Sequence, residues 1–390
     1  MSKQIKKQIT IQAVKSALNN LGYSARHNVI DGATHISGLP SQYSHENAAN
    51  ILPVLLHDYL IGLGYSATKE RINDILSTII DENRYNPIWD MLKETKYDGL
   101  DRITTLDEIL GIENDEQSKM LLRKWLHQCI AMALNDDETP YGGEGVLVLQ
   151  GAQGAGKTLF FSTLAINPDF FAEGACVDMN SKDTIIQSTN VWITELGELD
   201  SCLKKEQSSL KAFITSKKDV YRRPYERSAI SKVRRTSFCG TVNPDQFLID
   251  ETGSRRFWTI HVEHIDAPRL LSLSEDWLKQ MWRQVYEELY SPNPQGFRLT
   301  PDERALLESN NKVYEKPLPA EIEILDMLDF TLAESRWFYC KVSYFKRLDA
   351  LKNYSAAQIG KVLAKLANND SRIKIKNVHN VKQYFLPMMY

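Results

Sequence analysis

The chain of 390 residues has no apolar run that approaches the roughly 18 residues needed to span a membrane. Its first residues are polar and basic, without the apolar core of a signal peptide. None of its five cysteines stands at C-x-x-C spacing and no histidine cluster accompanies them, so neither a disulfide framework nor a zinc site is indicated. We therefore expect a cytoplasmic protein that has no membrane partner.

Internal repeats and low-complexity segments are also absent from the sequence, which argues against solenoid and disordered classes. The net charge of −3 is close to balance, so the total charge does not point to nucleic acid. Hydrophobic content of 43% and charged content of 25% are ordinary for a globular protein with a normal core. The informative features are therefore local motifs and the distribution of charge along the chain.

Residues 151–158 read Gly-Ala-Gln-Gly-Ala-Gly-Lys-Thr, which fits the phosphate-loop pattern G-x-x-x-x-G-K-[S/T]. An apolar strand is predicted over 145–150 and a helix from Thr158 onward, which is the context this loop requires. Backbone N–H groups then surround phosphate oxygens, Lys157 pairs with the β- and γ-phosphates, and the Thr158 hydroxyl can bind Mg²⁺. The predicted nucleotide-binding residues are Gly151, Gln153, Gly154, Ala155, Gly156, Lys157, Thr158 and Leu159.

Short apolar strands alternate with helical segments through the middle of the chain. The strands are predicted at 145–150, 190–194, 236–242 and 257–262, which favours an α/β sheet with a phosphate site at the carboxyl ends of its strands. The domain prediction is a 1–45 N-terminal extension, a 46–140 helical collar or oligomerisation domain, a 141–300 ATPase, and a 301–390 linker with a winged-helix-like domain.

Two carboxylates follow the second predicted strand. Glu195 stands where a metal-side carboxylate is expected, and Glu198 could orient or activate the attacking water. The alternative is a helix cap with a solvated acidic first turn. Asn243 ends the third predicted strand, where an amide can position the hydrolytic water, although an Asn-Pro pair alone is a common turn starter.

Two arginines, Arg255 and Arg256, precede the fourth predicted strand. An arginine brought to the γ-phosphate of a neighbouring subunit stabilises transition-state charge and accelerates hydrolysis by about 10³–10⁵. The alternative is an ion pair that has no connection with phosphate.

Residues 217–235 hold eight basic residues against two acidic ones, and two tyrosines are interleaved with the arginines. Cations and flat aromatic rings suit the backbone and bases of single-stranded DNA, whereas a hairpin that contacts another subunit is the alternative. The predicted DNA-binding residues are Lys217, Lys218, Tyr221, Arg222, Arg223, Tyr225 and Arg227.

The last sixty residues, 331–390, carry eleven Lys and Arg residues against three acidic ones. Helices at 320–328, 344–351 and 356–366 come before two alternating strands at 372–376 and 382–386, which is the order of a winged helix. Together the charge and the order favour DNA binding, and a protein-interaction domain is the alternative.

Six blocks of the sequence, taken in order, resemble the virulence-associated protein E family. These are phage and mobile-island proteins similar to superfamily 3 helicases of the AAA+ class, and the resemblance covers about residues 80–265. The blocks are Glu-Asn-Arg-Tyr-Asn-Pro at 82–87, Tyr-Asp-Gly-Leu-Asp-Arg-Ile at 97–103, the phosphate loop, Trp-Ile-Thr-Glu-Leu-Gly-Glu-Leu at 192–199, Arg-Arg-Pro-Tyr at 222–225 and Gly-Ser-Arg-Arg-Phe-Trp at 253–258.

The resemblance implies a homo-hexameric AAA+ ring that hydrolyses ATP with Mg²⁺ while it moves along single-stranded DNA, with residues 217–235 as the pore hairpin. By this analogy the roles are Walker A for Lys157 and Thr158, Walker B for Glu195 and Glu198, sensor 1 for Asn243, and the trans-acting finger for Arg255 or Arg256. The Glu-x-x-Glu block stands where adjacent Asp-Glu is common, which leaves the identity of the catalytic base open.

Many relatives carry a primase-like N-terminal domain, and residues 1–45 are too few to hold one, so we expect a separate primase or polymerase as a partner. A winged helix would suit recognition of origin DNA, which makes a self-loading replication initiator the leading hypothesis. The alternative is an ATP-switched DNA-binding regulator that does not unwind DNA. A DNA-packaging motor shares the same ATPase signals.

Overall fold

The protein is described by a computed structural model that covers residues 7–175, 181–197, 199, 207–221, 229–248, 254–292 and 296–389. It divides into two compact units, the first from Met1–Asp245 with Thr252–Lys312 and the second from Gln246–Glu251 with Val313–Tyr390. Within the described ranges, no helix has both the length and the apolar character that a membrane span requires.

The amino-terminal part of the first unit is a helical layer with short strands. Its elements are β1 (Lys7–Gln8), α1 (Ile11–Leu21), β2 (Ser24–Asn28), β3 (Thr34–Ser37), α2 (Ala48–Gly62), β4 (Tyr65–Ser66), α3 (Lys69–Glu82) and β5 (Arg84–Tyr85). The hydroxyls of Thr10 and Thr68 cap α1 and α3. The apolar faces of α1, α2 and α3 share one core, in which Val14, Leu56 and Ile72 are fully buried.

Three helices lead from this layer to the central sheet, namely α4 (Pro87–Glu94), α5 (Ile103–Leu110) and α6 (Glu116–Ala133). Most of the carboxyl-terminal half of α6 is buried, as expected for a helix that covers a sheet. The indole N–H of Trp125 on α6 donates to the carbonyl of Phe238 in the sheet over 2.8 Å. This contact fixes the helix against the strands that carry the site.

Five parallel strands form the central sheet, and a two-stranded hairpin projects from the same unit. The strands are β6 (Val146–Gln150), β7 (Phe171–Ala175), β8 (Ile193–Leu196), the hairpin strands β9 (Lys218–Tyr221) and β10 (Ile230–Val233), β11 (Ser237–Val242) and β12 (Phe257–His261). The sheet order is β12-β6-β11-β8-β7, so β11 is the central strand and β6 lies between β12 and β11. The predicted α/β class is confirmed.

Among the described residues, six further helices belong to the first unit. They are α7 (Lys157–Leu164), α8 (Lys182–Thr189), α9 (Gln207–Ile214), α10 (Ala267–Leu271), α11 (Glu275–Leu289) and α12 (Pro301–Asn311). The core between helices and strands includes Trp192 and Trp282, whose ring centroids lie 4.6 Å apart. Four strands match the predicted segments to within three residues, whereas β7 was not predicted because its sequence, Phe-Ala-Glu-Gly-Ala, lacks β-branched residues.

The second unit has its own core and a small antiparallel sheet. Its elements are α13 (Pro319–Leu325), β13 (Phe338–Lys341), α14 (Val342–Phe345), α15 (Ala356–Asn369), β14 (Ile375–Val378) and β15 (Val381–Leu386). The sheet order is β13-β15-β14, and Phe345, Leu363 and Tyr384 are among the buried residues that fill the core. The chain order is thus helix, strand, helix, helix, strand, strand.

Candidate nucleotide site

The phosphate loop joins the carboxyl end of β6 to the first residue of α7. Gly154 and Gly156 have φ angles of +81° and +91°, a backbone region that L side chains rarely adopt. A Cβ at Gly151 would lie 2.1 Å from the carbonyl oxygen of Val262, so a side chain there requires the backbone to move. The glycines therefore allow the turn that directs N–H groups at the helix start toward an anion.

Lys157 is almost buried, with 6% of its surface exposed, and all three donors of its ammonium group are used. Its Nζ donates to the carbonyls of Gly151 and Ala152 over 2.8 and 2.7 Å, and to the side-chain oxygen of Asn243 over 3.0 Å. Burial lowers the pKa of Lys157, and the nearby Glu195 carboxylate acts in the opposite direction. The predicted Walker A lysine and the predicted sensor amide are thus in direct contact.

Glu195 lies in β8 and is 2% exposed. Its Oε1 accepts hydrogen bonds from the hydroxyls of Thr158 and Thr241, each over 2.8 Å. Mg²⁺ prefers oxygen ligands, so the adjacent carboxylate and Thr158 hydroxyl fit the predicted metal position. Thr241 was not singled out from the sequence, although it lies two residues before Asn243, which places both on one face of an extended chain.

Gln150, the last residue of β6, connects the Asn243 turn with β12. Its Nε2 donates to the carboxylate of Asp245 over 3.0 Å, and its Oε1 lies 2.6 Å from Nδ1 of His261, which must carry the proton for this contact. No sequence motif marked Gln150, since a glutamine before a phosphate loop has no distinctive pattern. The side chain is 2% exposed and holds the two strand ends together.

Arg255 and Arg256 lie in the single turn Ser254–Arg256, immediately before β12. Because β12 runs parallel to β6, with Phe257 opposite Val146, these arginines stand at the amino edge of the sheet. The phosphate loop leaves the carboxyl edge, five residues or roughly 16 Å further along the strands. Within one chain, the arginines and the phosphate loop are therefore at opposite edges.

The turn that carries the two arginines is held by a buried amide on α12. Nδ2 of Asn311 donates to the carbonyls of Ser254 and Phe257 over 2.7 and 2.9 Å, which fixes both ends of the turn. Asn311 is 1% exposed, and no sequence pattern indicated its role.

The predicted DNA-binding residues are only partly within the described structure. Lys218 is exposed on β9, at the base of the hairpin, whereas Lys217 precedes the strand. Tyr221 is a correction to the prediction, because it is 3% exposed and has no free ring face on which a base could stack. Outside the described residues lie Glu198, Arg222, Arg223, Tyr225 and Arg227.

Part of the positive charge in 217–235 has a structural role. Arg234 is 1% exposed, and its guanidinium pairs with Asp219. The guanidinium also donates to the carbonyl of Phe213 over 3.1 Å and lies 4.3 Å from the centre of the Phe213 ring. Arg235 pairs with Asp137 over 3.1 Å. These two arginines anchor the base of the hairpin. Fewer cations of the segment are therefore available to bind DNA than its net charge suggests.

Sequence comparison places these residues in a family. The profile of the virulence-associated protein E-like domain matches residues 92–316, more than half of the chain. The chain belongs to this family. The matched virulence-associated protein E-like domain contains the phosphate loop, Glu195, Asn243 and the arginine turn, and it ends just after α12.

Similar solved structures are also found. One, titled the apo structure of NrS-1 C terminal region (305-718), is 13% identical with a TM-score of 0.47 and full coverage of both chains. Another, titled the A form apo structure of NrS-1 C terminal region-CTR, is 13% identical with a TM-score of 0.45, and the match covers 96% of this chain and 99% of that one. No curated protein matches the sequence.

Proposed function

We propose that this protein is an ATP-driven DNA helicase of a phage or mobile genetic island, of the superfamily 3-like AAA+ class, that works as a homo-hexamer. Membership of the virulence-associated protein E-like family supports the class. The observation that carries the proposal is a pair of contacts at one edge of the sheet, Lys157 with Asn243 and Thr158 with Glu195. Arg255 and Arg256 stand at the other edge.

The chemistry proposed for the site is hydrolysis of the γ-phosphate of ATP with Mg²⁺, which supplies charge neutralisation when bound. Lys157 exchanges its contact with Asn243 for a phosphate oxygen, and the freed amide of Asn243 orients the attacking water. Thr158 and Glu195 hold the metal position. Glu198, the other carboxylate of the predicted Walker B block, is the candidate for activating the water. It lies outside the described residues.

The proposed track is single-stranded DNA, gripped by the segment between β9 and β10. Lys218 is exposed at the start of this hairpin, and the sequence places Arg222, Arg223 and Arg227 between its strands. Replication of the mobile element is the proposed process, with a separate primase or polymerase as partner.

The second unit is proposed as a winged-helix-like domain that recognises origin DNA. Its order of helices and strands supports this, as does its excess of basic residues. Lys374→Ala and Lys382→Ala should each weaken duplex binding and reduce the slope of log affinity against log salt by about 0.9 for every phosphate that the variant no longer neutralises. An unchanged slope for both variants would count against this assignment.

The deciding experiment is a forked-DNA unwinding assay with and without ATP. The wild-type protein should separate strands when ATP and Mg²⁺ are present, and Lys157→Ala should abolish both hydrolysis and unwinding. Lys279→Ala, which changes a partly exposed lysine that pairs with Glu275 on α11, is the matched control and should retain activity. Hydrolysis of ATP without any strand separation would refute the helicase assignment.

The second candidate is an ATP-switched DNA-binding regulator, which the basic second unit favours equally. Neutralising Arg222 and Arg223 distinguishes the two functions, because a switch has no use for a cationic pore hairpin. The helicase hypothesis expects unwinding to be lost while duplex binding remains. The regulator hypothesis expects no unwinding by the wild-type protein and ATP-dependent duplex binding in both proteins.

A further inference from the structure

A cationic cleft of about 290 Å³ opens at the amino edge of the central sheet. Its charged lining comes from four separate segments of the first unit. The charged residues are Glu144, Lys217, Arg255, Arg256, Arg298 and Arg304. The cleft thus brings the predicted finger arginines together with Lys217 and with two further arginines that no motif marked, and a single carboxylate opposes all five cations.

The floor of the cleft is built to hold Glu144 in place. Gln128 on α6 is 1% exposed, and its Oε1 accepts the backbone N–H groups of Glu144 and Gly145 over 2.6 and 3.1 Å. A Cβ at Gly142 would lie 2.0 Å from the carbonyl oxygen of Thr215, so glycine is needed for this close approach. The position of the carboxylate is therefore set by backbone contacts and not by its cationic partners alone.

Glu144 spans two of the cations. Its Oε1 lies 3.1 Å from Nη2 of Arg304, and its Oε2 lies 3.6 Å from Nη1 of Arg298. The side chain of Glu144 is 20% exposed, which leaves this pairing open to competition by a solvent-borne anion. Since one carboxylate cannot neutralise five cations, the cleft keeps an excess of positive charge.

Arg256 shows that the cleft is incompletely satisfied. Its Nε is buried and has no hydrogen-bond partner among the described residues. Burial and the neighbouring Arg255 lower the pKa of Arg256, so the charged form is held at a cost. An anion with several oxygen acceptors would remove this cost, and phosphate offers such acceptors to arginine in a bidentate geometry.

In the proposed function, and with the trans-acting arginine that the resemblance implies, the terminal phosphate of a nucleotide on a second copy of the chain reaches Arg255 or Arg256. We infer that Arg298 and Arg304 are additional ligands of that phosphate and that Glu144 is the internal anion it displaces. The inference rests on the proposed function. The chain's own phosphate loop cannot supply the phosphate, because it leaves the opposite edge of the sheet, roughly 16 Å away along the strands.

A mixing experiment tests the second-copy part. Arg298→Ala with Arg304→Ala, and separately Lys157→Ala, should each lower ATPase activity at least about tenfold. Mixing the two inactive proteins should restore part of the activity, since an intact loop then meets an intact cleft. Arg269→Ala, which removes an exposed arginine paired with Glu108, is the control and should keep full activity. Full activity in the double arginine variant, or no recovery on mixing, overturns the inference.

Calorimetric titration of tripolyphosphate separates the cleft from the hydrolytic function. The titration uses the Lys157→Ala protein, in which the phosphate loop is disabled. Adding Arg298→Ala and Arg304→Ala should weaken binding at least about tenfold, whereas adding Glu144→Gln should tighten it several-fold by removing the competing charge. The Glu144→Gln arm keeps the test decisive if the arginine variant unfolds.

The outcomes of the titration are distinct from those of the unwinding assay. If Glu144→Gln tightens tripolyphosphate binding but the wild-type protein never hydrolyses ATP, the proposed function fails and the phosphate cleft remains. Unchanged binding in both variants overturns the cleft even if unwinding succeeds. Displacement of tripolyphosphate by a short single-stranded oligonucleotide also overturns it, because DNA phosphates would then be the ligand.

Discussion

At the scale of single residues, the contacts of Lys157 show what the proposed nucleotide binding would have to change. Its three N–H donors are taken by two carbonyls and by Asn243, so a phosphate oxygen has to replace one of these acceptors. The carbonyls belong to the loop itself, whereas the amide belongs to the turn after β11. The Asn243 contact is therefore the one that binding is expected to break, which couples the sensor position to occupancy of the loop.

Asn243→Ala tests this coupling. The substitution frees one donor of Lys157, so nucleotide affinity should stay the same or increase, while the rate of hydrolysis should fall about 10²-fold because the water is no longer oriented. Fluorescent nucleotide binding and steady-state ATPase measure the two effects. Asn50→Ala, on the surface of α2, is the control. A large loss of affinity in Asn243→Ala would show that the amide serves binding instead.

Asp107 on α5 is a buried carboxylate that the proposed chemistry does not use. It is 5% exposed, and its Oδ1 has no hydrogen-bond partner in the described part of the chain. Burial raises the pKa of Asp107 to about 6, although Arg123 and Lys119 act against this. The folded state thus binds a proton more tightly than the unfolded chain, and stability falls as the pH rises through about 6.

Asp107→Asn should therefore stabilise the protein at neutral pH. We expect the free energy of unfolding at pH 7.5 to rise by about 1–2 kcal/mol, with a much smaller gain near pH 4, where the folded state carries the proton and the unfolded chain is about half protonated. Denaturant unfolding at the two pH values measures this. Asp58→Asn, at a side chain that is 77% exposed, should change neither value. An equal gain in the free energy of unfolding at both pH values would show that the ionisation of Asp107 is not its cause.

At the scale of elements, periodicity predicted four of the five strands of the central sheet, because apolar strands between helices have a clear pattern. The pattern did not show which strands pair with each other or in which register. The register that places Phe257 opposite Val146 separates the arginines from the loop, and this information lies in contacts between distant segments. Similarly, β14 ends two residues later and β15 begins one residue earlier than predicted, because His379 and Asn380 both adopt positive φ and close a two-residue turn between the strands.

The candidate site shows the same division between local and distant information. Lys157 and Thr158 could be assigned from the loop motif alone. Gln128, Gln150 and Asn311 could not, because a buried amide is recognised by the backbone groups that it satisfies, and those groups come from elsewhere in the chain.

The Asn311 clamp on α12 leads to a prediction about an element. Asn311→Ala removes two hydrogen bonds and leaves two buried carbonyls without this donor, so it should cost about 2–3 kcal/mol of stability. The arginine turn should also loosen, which lowers ATPase activity while nucleotide affinity stays unchanged. Asn310→Ala, one residue earlier on the exposed side of the helix, is the matched control. Loss of nucleotide affinity in Asn311→Ala would indicate general unfolding and not a loosened turn.

At the scale of the whole molecule, the parallel sheet places two chemically complementary groups at opposite edges. The cationic cleft that contains Arg255 and Arg256 lies at the amino edge, and the phosphate loop leaves the carboxyl edge. A head-to-tail contact between identical chains would bring the two together, and such heterologous contacts close into rings when the rotation allows. Under the proposed function, this arrangement explains why the motif of one chain predicts nucleotide binding but not a hydrolytic site shared by two chains.

Dilution of the protein tests whether assembly is required. ATPase activity per chain should fall steeply over a roughly thousandfold dilution, as expected when the active form is an oligomer in equilibrium with its protomers. Nucleotide affinity should not follow this fall, because the phosphate loop is complete within one chain. Sedimentation at the same concentrations shows which species is present. If chains that sediment as monomers hydrolyse ATP at the undiluted rate, the arginine cleft has no part in hydrolysis and the opposite-edge geometry is only structural.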